Sequence, residues 1–123
     1  MNIALWVVQG LLAATYAASG TAKSVMPKER MIATGQTGVA PFPLPVIRVV
    51  AACEVLGALG LVLPWMLGVA PLLTPVSAVG LAVLMVGAAV AHLSLGEVKQ
   101  ALAVNAVLLV LLIGVAAQRF AQL

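Results

Sequence analysis

The chain has 123 residues, of which 64% are hydrophobic and 7% are charged. Because a soluble domain carries about 25% charged residues, this composition excludes a water-soluble globular protein and predicts an integral membrane protein. The net charge of +3 rests on only six Lys and Arg residues, which form no basic stripe, so no nucleic-acid partner is expected. The single cysteine, Cys53, excludes an intrachain disulfide.

The chain is long enough for four membrane-spanning helices, because each needs about 20 apolar residues. We predict helices at about 2–24, 45–63, 71–94 and 98–119, which fill residues 1–123 as a single transmembrane domain. The expected fold is all-α, an up-and-down four-helix bundle surrounded by membrane lipids. The first and third connections hold most of the lysines and arginines, which predicts that these connections are cytoplasmic and that both termini lie outside.

Polar residues recur every seven positions along the first predicted helix, at Asn2, Gln9, Tyr16 and Lys23, and therefore share one face. Ser19 lies beside that stripe. A lipid-facing helix does not concentrate polar residues on one side, so this face is expected to contact protein or a cavity. Hydrogen bonding between helices is the expectation for Asn2 and Gln9. For the other end of the stripe, both hydrogen bonding between helices and contact with a ligand stay open.

The first connection, residues 25–44, contains two different signals. The segment 27–34 favours a short interfacial helix that begins at Pro27 and ends at Gly35. Prolines at positions 41, 43 and 45 then forbid a helix before Pro45 and predict an extended segment. Two interpretations of this segment stay open, a lid over the bundle and a plain connector.

The second predicted helix carries a carboxylate in its apolar middle. Glu54 lies nine residues after Pro45, or roughly 13 Å along the helix axis, which places it near the middle of the membrane. A carboxylate at that depth needs a partner or a function. Arg48 is six residues earlier and about a third of a turn around the helix, so it is a poor partner for Glu54.

The third and fourth predicted helices contribute polar residues near the same end of the bundle. His92 closes the third helix, and Asn105 lies about two turns into the fourth, deep enough to need a hydrogen-bond partner. Asn105, Leu112 and Arg119 repeat every seven residues. We expect Arg119 to extend its long side chain to the membrane interface.

An up-and-down bundle therefore brings six polar residues into the half that ends at the first and third connections: Lys23, Ser19, Arg48, Glu54, His92 and Asn105. This convergence predicts a polar pocket that opens toward those connections. The candidate catalytic residues are Lys23, Arg48, Glu54 and His92, and the candidate ligand-binding residues are Tyr16, Ser19 and Asn105.

These residue types suit acid–base chemistry, because a histidine relays protons near neutral pH and a nearby cation decides whether a buried carboxylate stays charged. One carboxylate and one histidine are too few ligands for a metal site, so no metal is expected. The alternative is a purely structural role, in which an ion pair of Glu54 with Lys23 or Arg48 only holds helices together.

The chain resembles the DoxX-like family of small four-helix membrane proteins over nearly its whole length. The resemblance rests on residues in all four predicted helices: Ser19-Gly20 and Lys23, Arg48, Glu54, Gly57, Gly60 and Pro64, Leu73-Thr74-Pro75, His92, and Asn105. The family takes its name from a subunit of an archaeal thiosulfate:quinone oxidoreductase. The resemblance therefore implies a multi-pass protein of the bacterial inner membrane, with a link to quinone or redox chemistry.

Three hypotheses about function follow. In the first, the protein is a redox-linked accessory subunit that handles a quinone and works with a redox partner subunit, because a single cysteine provides no dithiol. In the second, it is a small enzyme that performs isomerisation or hydrolysis on a lipophilic substrate. In the third, it is a structural or assembly protein. The glycine pairs Gly57/Gly60 and Gly80/Gly87 are candidates for a homo-oligomer interface or for packing within the chain.

Overall fold

The computed structural model describes residues 2–33 and 40–123, and these residues contain helices and no strand. Four segments are long and apolar enough to cross a membrane. The helices are α1 (Asn2–Val25), α2 (Lys28–Ala33), α3 (Leu44–Leu67), α4 (Leu73–Ser94), α5 (Val98–Gln100) and α6 (Ala106–Ala121), and a π-helical turn (Ala101–Asn105) joins the last two. The predicted all-α membrane bundle is thereby confirmed.

The four long helices pack in an up-and-down order, α1 against α3, α3 against α4 and α4 against α6. The contact between α1 and α6 closes the ring and is much the smallest of the four. One apolar core runs through the centre and includes Leu12, Leu61, Leu81 and Leu112. The seven-residue stripes predicted on the first and fourth helices point into this centre, since Gln9, Tyr16, Asn105, Leu112 and Arg119 are all buried.

Small residues set the distance between neighbouring helices, as expected where lipid provides no hydrophobic drive for helix association. At Gly20 of α1, a Cβ atom would lie 2.9 Å from the backbone oxygen of Ala51 on α3. At Gly60 of α3, a Cβ atom would collide with Oγ of Ser77 on α4. Gly57 likewise faces α4, so both members of the Gly57/Gly60 pair pack within the chain.

The second long helix ends later than predicted. The predicted helix ends at about residue 63, just before Pro64, but α3 continues through this proline to Leu67. Gly68 then adopts a left-handed φ of 68°, and Val69 donates its N–H to the carbonyl oxygen of Pro64 at 3.2 Å. This arrangement is a Schellman motif, which glycine favours because it has no Cβ. The proline removes one hydrogen bond without stopping the helix.

The fourth helix is interrupted, whereas a continuous helix was predicted over 98–119. The π-helical turn Ala101–Asn105 separates α5 from α6. Such a turn closes hydrogen bonds five residues apart and therefore changes the helical phase between the segments on either side. Asn105, the last residue of the turn, is buried in the bundle.

The first connection packs on the start of α3. The predicted short helix appears as α2, and its fully buried Met31 contacts Ile47. The predicted helix end at Gly35 lies outside the described residues. Within the described residues, Lys28 Nζ donates to the carbonyl oxygen of Phe42 at 2.7 Å, which ties the proline-rich segment back to α2.

Candidate functional site

A cavity of about 440 Å³ lies inside the bundle, in the half that ends at the first and third connections. Its walls come from α1, α3, α4, the π-helical turn and the start of α6. The polar lining residues are Thr15, Tyr16, Ser19, Lys23, Glu54, His92 and Asn105. Six of the seven predicted site residues therefore line one space, and Arg48 is the exception.

An ion pair between α1 and α3 forms the charged centre of the cavity wall. Lys23 Nζ donates to Glu54 Oε1 at 2.7 Å, and the Glu54 side chain is only 2% exposed. Gly20 makes this geometry possible, because it lets α1 approach Ala51 and Val55 closely one turn before Lys23. Of the two partners that the sequence offered for Glu54, the structure selects Lys23.

Arg48 bonds to backbone atoms near the end of α1 and is not a partner of Glu54. Its guanidinium donates to the backbone oxygens of Lys23 and Met26. Carbonyls at a helix C-terminus have no partner within the helix, and a cation there also interacts favourably with the helix dipole. Arg48 therefore fixes the end of α1, the segment that carries Lys23, and does not line the cavity.

His92 is held by a residue that the sequence analysis did not select. Its Nδ1 atom lies 2.8 Å from Glu97 Oε1. A second Schellman motif creates this contact: Gly96 has a φ of 78°, and Glu97 donates its backbone N–H to the oxygen of His92 at 2.8 Å. The detectable signal was a glycine four residues after His92 followed directly by a carboxylate.

Five buried side-chain atoms within the described residues have no hydrogen-bond partner, and three of them belong to residues that line the cavity. These three are the Tyr16 hydroxyl, Glu54 Oε2 and Asn105 Nδ2. Buried polar groups in folded proteins are nearly always satisfied, so each exception requires an explanation. A concentration of them around one cavity is typical of a site that receives a polar group.

The remainder of the cavity wall is apolar and reaches the surface of the bundle. Ile47, Val50, Leu84 and Leu108 are among the lining residues of this apolar part. Exposed residues of three different segments also belong to the lining: Thr15, Val83 and Val104. These three lie within the membrane-spanning segments, so the cavity reaches the surface of the bundle along the length of those segments. Phe42 of the proline-rich segment lines the cavity near its loop end.

A second polar cluster occupies the opposite end of the bundle. Arg119 donates to Gln9 Oε1 at 2.8 Å and to Gln122 Oε1 at 2.6 Å. Its guanidinium lies over the rings of Trp6 and Trp65, at 5.1 and 4.5 Å. The expectation that Arg119 extends to the interface is wrong, because the residue is 1% exposed.

Gln9 links this cluster to a third helix. Its Nε2 donates to the backbone oxygen of Leu61 on α3 at 2.5 Å, while its Oε1 accepts from Arg119 on α6. This is the bonding between helices that the polar stripe on α1 predicted. The cluster joins α1, α3 and α6 far from the cavity and contributes no lining residue to it.

The cavity can position a lipophilic molecule, accept or donate hydrogen bonds at its polar groups, and exchange protons through His92 and Glu97. In residues 2–33 and 40–123, no three His, Cys, Asp or Glu side chains are grouped as metal ligands are.

These features define a class: a multi-pass membrane protein built as a four-helix bundle. The sequence profile of the DoxX-like family matches residues 7–115. The chain therefore belongs to the DoxX-like family. No curated protein and no solved structure matches it.

Proposed function

We propose that the protein binds a small lipophilic ligand in the cavity around Glu54, in a bacterial inner membrane. The observation that carries this proposal is the grouping of three unpartnered buried polar atoms, on Tyr16, Glu54 and Asn105, around one apolar-walled cavity. A role confined to joining helices would be better served by polar atoms paired with one another, because an unpaired buried group costs about 1–3 kcal/mol. Gln9 illustrates that alternative at the other end of the bundle, because both atoms of its amide group have partners on other helices.

Within this function, an accessory role in quinone-linked redox chemistry is one specific form. A quinone has a flat polar head and an apolar tail and reaches a protein from the lipid phase, and the cavity reaches the surface of the bundle at Thr15 and Val104. Electron transfer itself would belong to a partner subunit, because the only cysteine, Cys53, faces away from the cavity.

The contact between His92 and Glu97 favours a second candidate function, acid–base catalysis on a lipophilic substrate. A carboxylate that accepts from one ring nitrogen fixes the orientation and tautomer of a histidine. His92 also lines the cavity, where its ring can act on a bound molecule. Glu97 is partly exposed and connects this ring to the loop side of the bundle.

The test is mass spectrometry of the lipophilic molecules that remain bound to the protein after purification in detergent. Wild type would be compared with Glu54→Gln, with Asn105→Leu and with a control variant, Cys53→Ser. Cys53 is adjacent to Glu54 but exposed and outside the cavity, so it reports the general effect of a change in α3.

We expect wild type and Cys53→Ser to retain one defined molecule that Glu54→Gln and Asn105→Leu lose. The same mixture of bulk phospholipid on all four folded proteins would contradict the proposal and assign Glu54 a structural role. If a molecule is identified, conversion of that molecule by wild type but not by His92→Gln would favour the enzyme over the accessory subunit.

A further inference from the structure

We infer that the ligand of the cavity has an uncharged head that is both a hydrogen-bond donor and an acceptor, as a phenol or alcohol hydroxyl is. This inference rests on the proposed ligand binding and narrows the class of ligand. The inference follows from the side-chain atoms of the lining residues that have no hydrogen-bond partner.

Glu54 determines that the ligand must be a donor. Its Oε1 atom accepts from Lys23 Nζ at 2.7 Å, whereas its Oε2 atom is buried and unpartnered. A carboxylate in contact with an ammonium group is an acceptor only and has no proton to donate. A ligand satisfies Oε2 only if it brings an O–H or N–H group.

Asn105 determines that the same head must also be an acceptor. Its Nδ2 atom is buried without a partner at the end of the π-helical turn, and an amide nitrogen is a donor only. The Tyr16 hydroxyl, the third unpartnered group, donates or accepts and therefore suits either kind of ligand. A hydroxyl group donates and accepts, so it matches the free acceptor of Glu54 and the free donor of Asn105.

The charges around the cavity favour an uncharged head. Lys23 and Glu54 neutralise each other, and the cation of Arg48 is directed at backbone oxygens of α1. An anionic head would meet the free oxygen of Glu54 with no lysine or arginine in the lining besides Lys23, and a cationic head would compete with Lys23. Burial of an uncompensated charge is strongly unfavourable in this setting.

This set of atoms discriminates between otherwise similar molecules. A head that carries only carbonyl or ether oxygens satisfies Asn105 but leaves Glu54 Oε2 unpaired. A site built to bond a hydroxyl rejects an analogue without it, because its own buried polar atom then loses its partner. By this argument the cavity prefers a phenol or quinol to the corresponding ether or quinone.

The experiment compares two probes that differ by one hydrogen-bond donor, 4-dodecylphenol and its methyl ether, 4-dodecylanisole. Their binding to wild-type protein is measured by calorimetry in matched detergent micelles. The signal obtained with Asn105→Leu measures nonspecific partition of the probes into the micelles. Cys53→Ser is the control for a change outside the cavity lining. We expect wild type and Cys53→Ser to bind the phenol about tenfold or more tightly than the ether.

Glu54→Gln provides an independent check of the same argument. A glutamine amide contains an N–H group, so an acceptor-only head can then be satisfied at position 54. We expect the preference for the phenol to shrink to about twofold or less in this variant. If it fails to fold, the comparison of the two probes on wild type and Asn105→Leu is sufficient.

The outcomes separate this inference from the function on which it rests. Equal binding of phenol and ether by wild type, with loss of both in Asn105→Leu, overturns the inference and leaves the proposed ligand binding intact. Absence of binding by both probes overturns the inference. If purified wild type also retains no defined molecule, the proposed function fails with it.

Discussion

Lys23 Nζ and Glu54 Oε1 lie 2.7 Å apart across the α1–α3 interface, and the two side chains differ in their exposure, at 16% and 2%. The difference has a consequence for stability. Without Glu54, the ammonium group of Lys23 near the end of α1 can move toward the membrane surface. Without Lys23, the carboxylate of Glu54 stays buried and unpaired unless it takes up a proton.

We therefore expect unequal effects from the two single variants. Lys23→Met should lower the free energy of unfolding by about 3 kcal/mol, because it leaves a buried charge without a partner. Glu54→Gln should cost less, and the double variant should be closer to wild type than Lys23→Met alone. Thermal unfolding of the four proteins in one detergent measures this. Equal and additive losses would mean that the two side chains are not coupled.

Much of this ion pair could be anticipated from the sequence. The seven-residue stripe placed Lys23 on the inner face of α1, and the distance from Pro45 placed Glu54 deep in α3. Its exact partner could not be predicted, because Lys23 and Arg48 both carry long, flexible cations. The choice depends on the unpaired backbone oxygens at the end of α1, which attract Arg48.

Gly20 tests whether close helix approach supports the site. Gly20→Ala places a Cβ atom 2.7 Å from Val55 Cγ2 and 2.9 Å from the oxygen of Ala51, so α1 and α3 must separate. We expect a loss of about 1–3 kcal/mol in unfolding free energy, together with weaker ligand retention. The control is Gly10→Ala, because Gly10 faces open space on the same helix. Helix propensity alone would make both variants more stable, because alanine is the better helix former, so an equal loss in both would show that close approach is not responsible.

Arg119 is expected to stabilise the bundle through its aromatic and amide contacts. Arg119→Lys keeps the charge but loses the planar group that lies over Trp6 and Trp65 and donates to Gln9. The unfolding free energy should fall by on the order of 2 kcal/mol, since cation–π contacts are strongest when desolvated. The control is Lys99→Ala, a change at an exposed position, which should alter the unfolding free energy little. Arg119→Lys should leave retention of the cavity ligand at low temperature unaffected, because the cluster around Arg119 contributes no residue to the cavity lining.

The position of Arg119 also shows where interpretation of the sequence failed. Its long charged side chain suggested that it would extend to the membrane interface. Two tryptophans and a glutamine from other helices instead surround it, and no pattern within α6 reveals them. Contacts between long side chains depend on how helices are stacked, whereas the face of a helix follows from spacing alone.

His92 is the only histidine in the chain, so its ring nitrogens can be observed by ¹⁵N NMR without interference from another histidine. The contact of Nδ1 with Glu97 at 2.8 Å should favour the neutral tautomer that carries its proton on Nδ1. Glu97→Ala removes the acceptor, so the ring should shift toward the tautomer protonated on Nε2. Lys99→Ala, a change in the same connection, should leave both nitrogen signals in place. Unchanged signals in Glu97→Ala would mean that Glu97 does not hold the ring, and the acid–base candidate would lose its main support.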